Sequence, residues 1–434
     1  MSKAPPVDQS RQADPAEALR QLYEQLPYPP RNPEDERQRL VRTSLDHLPK
    51  LSHYCFSGAL DLSGPFRVLV AGGGTGDSAI YLGEQLRDTP ATIYYLDVSK
   101  QSRTIAQHRA EVRGLDNIRF ESGSLLDAQT TYQEPFDYIN CSGVLHHLPD
   151  PHAGLKTLAN MLKPEGALGI MVYAQYGRTA VYQVQELIQR MAGDQPLDQQ
   201  IRLTRCLLKS LPDTNWFKRS ESLHVDHKKL GDAGLADLLL NPSDRAYTIP
   251  ELHQWITDAG LEFNRFASRR LHYEPLRYIS DPALQAVIRN KPEQEQQAIA
   301  ELISGALIKH TFYAGLSKPQ PVTLQPQRYP VLSYSLNNRS IHEQLSAKAN
   351  GTHLTITSDD AQLHLPVNPV SKVFFELIER PLRFDELVRE AASTQALSGF
   401  PEHWVQTQLH QLCELLLSVD MLYLLKVPIP PQTN

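Results

Sequence analysis

Cysteine is scarce and unpaired here. Cys55, Cys141, Cys206 and Cys413, the four in 434 residues, stand far apart and form no C-x-x-C pair. That speaks against a zinc site or a disulfide framework and fits a reducing compartment. No run approaches the roughly 18 apolar residues that a membrane-spanning helix needs. The opening stretch MSKAPPVDQSRQADPAEA has no apolar core of the kind a secretory signal carries. A soluble, cytoplasmic protein without a membrane partner is therefore expected. Positive charge is not in excess either: 43 Lys and Arg face 49 Asp and Glu, for a net charge of -6. A dominant nucleic-acid-binding surface is not expected on that balance, and nucleic acid is demoted as a substrate. Internal repeats and low-complexity tracts are absent.

What the chain does have is the stretch Phe66 to Ser78, FRVLVAGGGTGDS. An apolar run, Val68 to Ala71, breaks into glycines, and the following AIYLGEQL has helical character. A buried strand, a tight glycine turn and a helix N-terminus present backbone N–H groups and a positive dipole end to a ligand. A dinucleotide fingerprint, G-x-G-x-x-G, would place its third glycine at position 77, which is Asp77. The spacing is instead G-x-G-x-G, through Gly72, Gly74 and Gly76.

Strand and helix patterns alternate after this turn. TIYYL (92–96) ends at Asp97, NIRFE (117–121) follows a helical segment, FDYINC (136–141) leads into SGVLHHLPDP, and GALGIMVY (166–173) follows the turn residues Lys163 to Gly166. This order predicts a parallel sheet with helices on both faces. LEFNRF (261–266) and HTFYAGL (310–316) complete seven strands, leaving helical insertions at 174–248 and 267–309. Before the sheet, residues 1–15 read as a polar lead-in, AEALRQLYEQL as a helix, and ERQRLVRTSLDHLPKL as a further helical stretch. Between the two helices, Tyr28-Pro29-Pro30-Arg31 is either a cap over the ligand or a plain linker. Beyond the proline-rich LSKPQPVTLQPQRYP, THLTI and AQLHL read as a hairpin turning at Ser358-Asp359-Asp360, followed by amphipathic helices and a last strand. A small winged-helix-like module is expected there.

The glycine spacing, with the strand before it, resembles the first motif of class I methyltransferases, which bind S-adenosylmethionine. VLVAGGGTG, LDVSKQSRTIAQ, FDYINCSGVLHHLPDPHAGLKTL, LKPEGALGIMVYAQYGR and GLADLLLNPSDRAYTIPELHQWI together resemble a bacterial subgroup of that family carrying an N-terminal tyrosine-diproline segment. The order of core, helical insertion and C-terminal module is also similar to bacterial protein-lysine methyltransferases. The fold implied is α/β: a Rossmann-like seven-stranded sheet with helical insertions plus a small winged-helix-like α+β domain. Its expected divisions are an N-terminal segment (1–60), a cofactor-binding core (61–175), a helical insertion offering a substrate or dimer surface (176–250), the end of the sheet with the second insertion (251–318), and the linker with the C-terminal domain (319–434).

The resemblance implies S-adenosylmethionine as cofactor, held by Gly72, Gly74 and Gly76, by Asp97 on the ribose, by Ser124 and Leu125 at the adenine, and by Ser142 and Gly143 near the methyl group. Ser124 stands where many relatives have an aspartate, and Val70 where many have an acid. His146, Tyr28 and Arg178 are candidate catalytic residues. Tyr173, Tyr176, Asp244, Arg245 and Tyr247 are candidate substrate contacts. Asp237, grouped with the last three, has an internal salt bridge as its alternative reading. No metal is expected: the adjacent side chains of His146 and His147 diverge, and His224 with Asp226 and His227 fits an ordinary helix surface. The acceptor is expected to be a protein or peptide side-chain nitrogen. The alternatives are a small-molecule methyltransferase whose tail forms a homodimer, and a regulatory pseudo-enzyme that only binds the cofactor.

Overall fold

The computed structural model describes residues 15–268, 270–333, 336, 338–357 and 362–429. The lead-in up to residue 14 and the turn Ser358 to Asp360 lie outside the described residues.

The main sheet is built from β1 (Arg67–Ala71), β2 (Thr92–Asp97), β3 (Ile118–Ser122), β4 (Phe136–Ser142), β5 (Leu162–Ala174), β6 (Ala246–Tyr247), β7 (Glu262–Phe266) and β8 (Lys309–Gly315). Its order is β3-β2-β1-β4-β5-β8-β7, with the two-residue β6 paired to the end of β5. β1 to β5 run parallel, and β8 lies antiparallel between β5 and β7. The strand order reverses between β1 and β4, and in open α/β sheets ligands bind at that switch point, outside the carboxyl ends of the strands. β1 is apolar throughout its last four positions because helices cover both its faces.

Three local expectations change. Lys163 to Gly166 does not turn between a helix and a strand; β5 begins at Leu162 and runs through it, absorbing the extra residues as a register shift opposite Phe136 and Tyr138. The stretch before β1 is helical only over Leu48–Cys55, preceded by a 3-10 turn at Pro33–Arg37. Glu36 is drawn into ion pairs with Arg109 and Arg113 at 2.7 Å each, which holds this segment against the neighbouring helix Lys100–Arg113. The strand β6 gave no sequence signal, being too short for periodicity to register.

The two insertions are helical, over Thr179–Ala192, Leu197–Ser210, Trp216–Ser220, Asp226–Lys229 and Gly231–Leu239 in the first and Pro282–Arg289 and Glu293–Ser304 in the second. The C-terminal portion comprises β9 (Tyr329–Leu332), the hairpin β10 (His353–Thr357) and β11 (Gln362–Pro366), four helices, and β12 (Leu422–Leu425), which pairs antiparallel with β9. It has its own apolar cluster around Phe374, Leu387 and Leu409. β12 also serves the main body. Successive strand residues face opposite ways, so Leu422 and Leu424 enter the C-terminal cluster while Tyr423 enters the core beside Leu48, Leu51 and Val68. The tail is therefore not detachable in the sense its proline-rich linker suggests. No helix among the described residues is long and apolar enough to cross a membrane.

Candidate functional site

The glycine turn leaves β1 with positive φ at Gly72, Gly74 and Gly76, of 72°, 52° and 101°. The amides of Gly72 and Gly73 donate to the Leu96 carbonyl at 2.7 and 3.0 Å, tying the turn to the end of β2. A β-carbon at Gly72 would stand 2.2 Å from the Val144 side chain, and one at Gly74 would stand 2.8 Å from the Tyr28 carbonyl oxygen. The helix Asp77–Gln85 starts at the turn, so its unpaired N–H groups face the carboxyl edge of the sheet.

Asp97 closes this side. One carboxylate oxygen accepts the Gly74 amide and the other the Ser99 amide, both at 2.8 Å. An ionised carboxylate has about four lone-pair positions, so beyond these amides it keeps acceptor capacity for a hydroxyl donor. Burial raises the pKa of this group, and the amides of Ser99, Gly74 and Val98 pull the other way. Ser124 caps the 3-10 turn Leu125–Asp127, its hydroxyl accepting the Leu126 amide at 3.2 Å, and Leu125 is buried below it. Ser142 ends β4 exposed, and the Gly143 amide donates to the Met171 carbonyl.

The tyrosine-diproline segment crosses the glycine turn. The Thr75 hydroxyl donates to the Pro29 carbonyl at 2.6 Å, and Arg31 grips Asp77 with two nitrogens at 2.8 and 2.6 Å. Arg109, almost fully buried, joins Asp77, the Thr75 carbonyl and Glu36. The Tyr28 hydroxyl then reaches Asp226 at 3.2 Å, and the Tyr23 hydroxyl reaches Asp237 at 2.8 Å, so the segment spans from the glycine turn to the first insertion. Tyr28 to Arg31 is thus packed on the glycine turn and fixed at both ends.

His146 is 1% exposed, and neither ring nitrogen has a hydrogen-bond partner among the described residues. Its ring lies 3.9 Å from that of Tyr173 and 4.2 Å from that of His147. Burial, with His147 and Arg178 adding, depresses its basicity well below the ordinary histidine range. A general base at His146 is therefore disfavoured: the imidazole stays neutral because a charge there would be unsolvated. His147 is held by the Ser243 carbonyl at 2.5 Å.

Arg178 and Asp244, expected as catalytic and substrate residues, form an ion pair at 2.6 Å with both side chains 3% exposed. Tyr182 and Gln185 donate to the same carboxylate, and the guanidinium lies 3.5 Å over the Tyr173 ring. Buried and paired with each other, they brace the insertion. Tyr247 sits in β6 inside the main core, stacked on Trp255 at 4.7 Å, so it is a packing residue. Arg245 lies over the other end of that pair, 4.7 Å from the Tyr247 ring, and Tyr176 is exposed without reaching the rest of the cluster. Tyr173 alone of the five expected substrate contacts joins the site, its hydroxyl donating to Asp237 at 3.3 Å. Tyr23 and Asp226 are the residues that sequence reasoning missed. Tyr23 was hidden in the apolar face of its helix, and Asp226 between two histidines. No group of three metal-ligating side chains is brought together among the described residues.

Residues 69–168, which run from β1 into β5, match the family described as Methyltransferase domain. The chain belongs to the class I S-adenosylmethionine-dependent methyltransferases. This methyltransferase is 32% identical over 304 residues to the uncharacterized protein syc1184_c of Synechococcus sp., covering 69% of this chain and 72% of that protein. It is 35% identical over 112 residues to the tRNA 5-carboxymethoxyuridine methyltransferase of Escherichia coli, which covers 26% of this chain and 41% of that enzyme's length. Its fold is shared with PKMT2 from Rickettsia typhi, also solved with AdoHcy, at a TM-score of 0.65 and 14% identity, covering 89% of this chain and 76% of that one. The residues present fit the cofactor of the family: the first turn of the helix Asp77–Gln85 has N–H groups without intrahelical partners beside the glycine turn, and Asp97 keeps acceptor capacity for a ribose hydroxyl. When bound, S-adenosylmethionine supplies a methyl group activated on a sulfonium sulfur.

Proposed function

We propose that this methyltransferase modifies a nitrogen on a protein or peptide side chain. The observation that carries the reading is the span of the N-terminal segment from the glycine turn to the first insertion, through Tyr28 to Asp226 and Tyr23 to Asp237. It sets hydrogen-bonding carboxylates and phenols, rather than an apolar box, beside the cofactor end of the sheet, as a polar nitrogen acceptor requires. The C-terminal portion, joined to the core through β12, supplies surface beyond what a small acceptor needs. The fold shared with PKMT2 over 89% of this chain is consistent with that use of the tail. Gly72, Gly74, Gly76 and Asp97 hold the cofactor; Tyr28 and the Pro29 carbonyl keep water from its open side. Catalysis on this view is positioning and water exclusion, with both reactants kept in near-attack geometry.

Incubation of the full chain with methyl-labelled S-adenosylmethionine and a bacterial lysate tests the reading. Label is expected in acid-precipitable, protease-sensitive material. Label confined to metabolites or to nuclease-sensitive material would refute it, and no transfer in the presence of cofactor binding would favour the pseudo-enzyme.

A further inference from the structure

Asp226 and Asp237 are the unexplained feature of the site. Neither has an ion-pair partner among the described residues, although Asp237 is 5% exposed. Other buried carboxylates near the cofactor edge are compensated: Asp77 has Arg31 and Arg109, Asp244 has Arg178, Asp97 has backbone N–H groups, and Asp46 has side-chain donors from Thr43, Tyr138 and Asn140. A buried charge without such a partner is costly. Burial pushes the Asp237 carboxyl above its ordinary range; His147, Tyr23 and Arg178 pull it back and Asp226 adds to the push. The two carboxylates thus oppose each other, and neither is closed into an ion pair among the described residues.

The hydrogen bonds around them are one-sided as well. Tyr23 and Tyr173 each donate to one oxygen of Asp237, and Tyr28 donates to Asp226. All three phenols spend their hydrogen on a carboxylate; the Tyr23 oxygen accepts from the Asn241 amide at 3.1 Å, and the oxygens of Tyr28 and Tyr173 keep lone pairs to offer, so acceptors outnumber donors in the cluster. His146, packed on Tyr173 with both nitrogens unpartnered among the described residues, adds one neutral acceptor and one N–H donor at the same place. Arg178 makes its ion pair with Asp244 at 2.6 Å and acts on Asp237 only through space, without a hydrogen bond to it.

We infer that Asp237 and Asp226, with the oxygens of Tyr23, Tyr28 and Tyr173, form the acceptor-binding site, and that it takes a primary alkylammonium, the end group of a lysine side chain. This rests on the methyltransferase reading above and narrows its substrate. An ammonium carries three donors and a compact charge, which matches scattered single acceptors. A guanidinium needs a carboxylate edge with both oxygens free, and each oxygen of Asp237 already accepts from a tyrosine.

The full chain saturated with S-adenosylhomocysteine is titrated with n-butylammonium, n-butylguanidinium and 1-butanol, with binding followed by ligand-observed NMR. Butylammonium is expected to bind best. Asp237→Asn is expected to weaken it by about tenfold or more, the scale of a lost hydrogen bond to a charged group. The affinity of that variant for S-adenosylhomocysteine should stay within about twofold of the parent, which also reports that it is folded. Tyr23→Phe, a milder change, is expected to give a smaller loss in the same direction. If the parent binds S-adenosylhomocysteine but does not distinguish butylammonium from butanol, or prefers butylguanidinium, the ammonium site is refuted and the methyltransferase reading stands. If Asp237→Asn weakens S-adenosylhomocysteine as much as butylammonium, the carboxylates belong to the cofactor and the inference is overturned. A parent that binds no S-adenosylhomocysteine removes the methyltransferase reading and this site together.

Discussion

The carbonyl oxygen of Tyr28 passes so close to Gly74 that a β-carbon there would stand 2.8 Å from it, at a backbone φ of 52°. The proline-stiffened segment and the glycine turn are therefore fitted to each other backbone to backbone. The segment could not lie where it does over any other residue.

Gly74→Ala is expected to displace Tyr28 and weaken S-adenosylhomocysteine binding by about tenfold or more, through both the contact and a φ that L-residues adopt at a cost of order 1 kcal/mol. Calorimetry measures it. Unchanged affinity would mean that the segment does not bear on the cofactor site.

Asp97→Ala removes the acceptor of the Gly74 and Ser99 amides and the lone pairs that face the ribose. Loss of a charged acceptor costs about 1.5–3 kcal/mol, so S-adenosylhomocysteine affinity should fall roughly ten- to hundredfold. Asp97→Asn keeps one acceptor oxygen and should fall less; equal losses would argue against a hydrogen-bonding role.

Arg178→Met leaves Asp244 buried and unpaired, so unfolding free energy should drop by about 3–5 kcal/mol, the usual cost of breaking a buried pair. The double variant Arg178→Met, Asp244→Leu should recover much of that loss. Chemical denaturation of the three proteins decides between a brace, in which the double variant recovers, and a catalytic arginine, in which stability barely changes.

The junction with the C-terminal portion has a pH signature. His53 accepts the Leu424 amide at 3.1 Å, and burial lowers its pKa to about 4 from 6.5. Between those values the unfolded chain takes up a proton that the folded one refuses, so this group's contribution to stability is present above about 6.5 and is lost as the pH falls toward 4. His53→Gln, which does not titrate, should show a shallower fall in stability over that window. Parallel curves for parent and variant would refute the assignment. Beside it, the Tyr54 hydroxyl donates to Asp420, which also pairs with Arg265 at 3.2 Å. Asp420→Ala should raise hydrogen exchange in both Leu48–Cys55 and β12, because the two share one interface.

Much of the fold was legible because its signals are short-ranged. The strand before the glycines, the turn, Asp97 at the end of β2 and the alternation through β5 each depend on residues within a few positions of one another, where backbone preference and periodicity act. The same holds for the hairpin of β10 and β11, whose alternation needs no knowledge of the partner strand. The side-chain cluster behind the glycine turn was not legible in this way. Asp237 and Asp244 look alike in sequence, and either could have been the salt bridge or the ligand group. The fold gave Asp244 to Arg178 and left Asp237 to tyrosines, one of them 214 residues away.

By itself, then, the sequence determined a methyl-donor site: a local strand, turn and helix with an acid at the next strand's end. Only the tertiary structure decided which charges are spent and which remain available. Whether a buried carboxylate braces the protein or waits for a ligand depends on the partner that distant chain segments bring to it. The same physics joins Tyr423 to the main core while its neighbours Leu422 and Leu424 serve the C-terminal one.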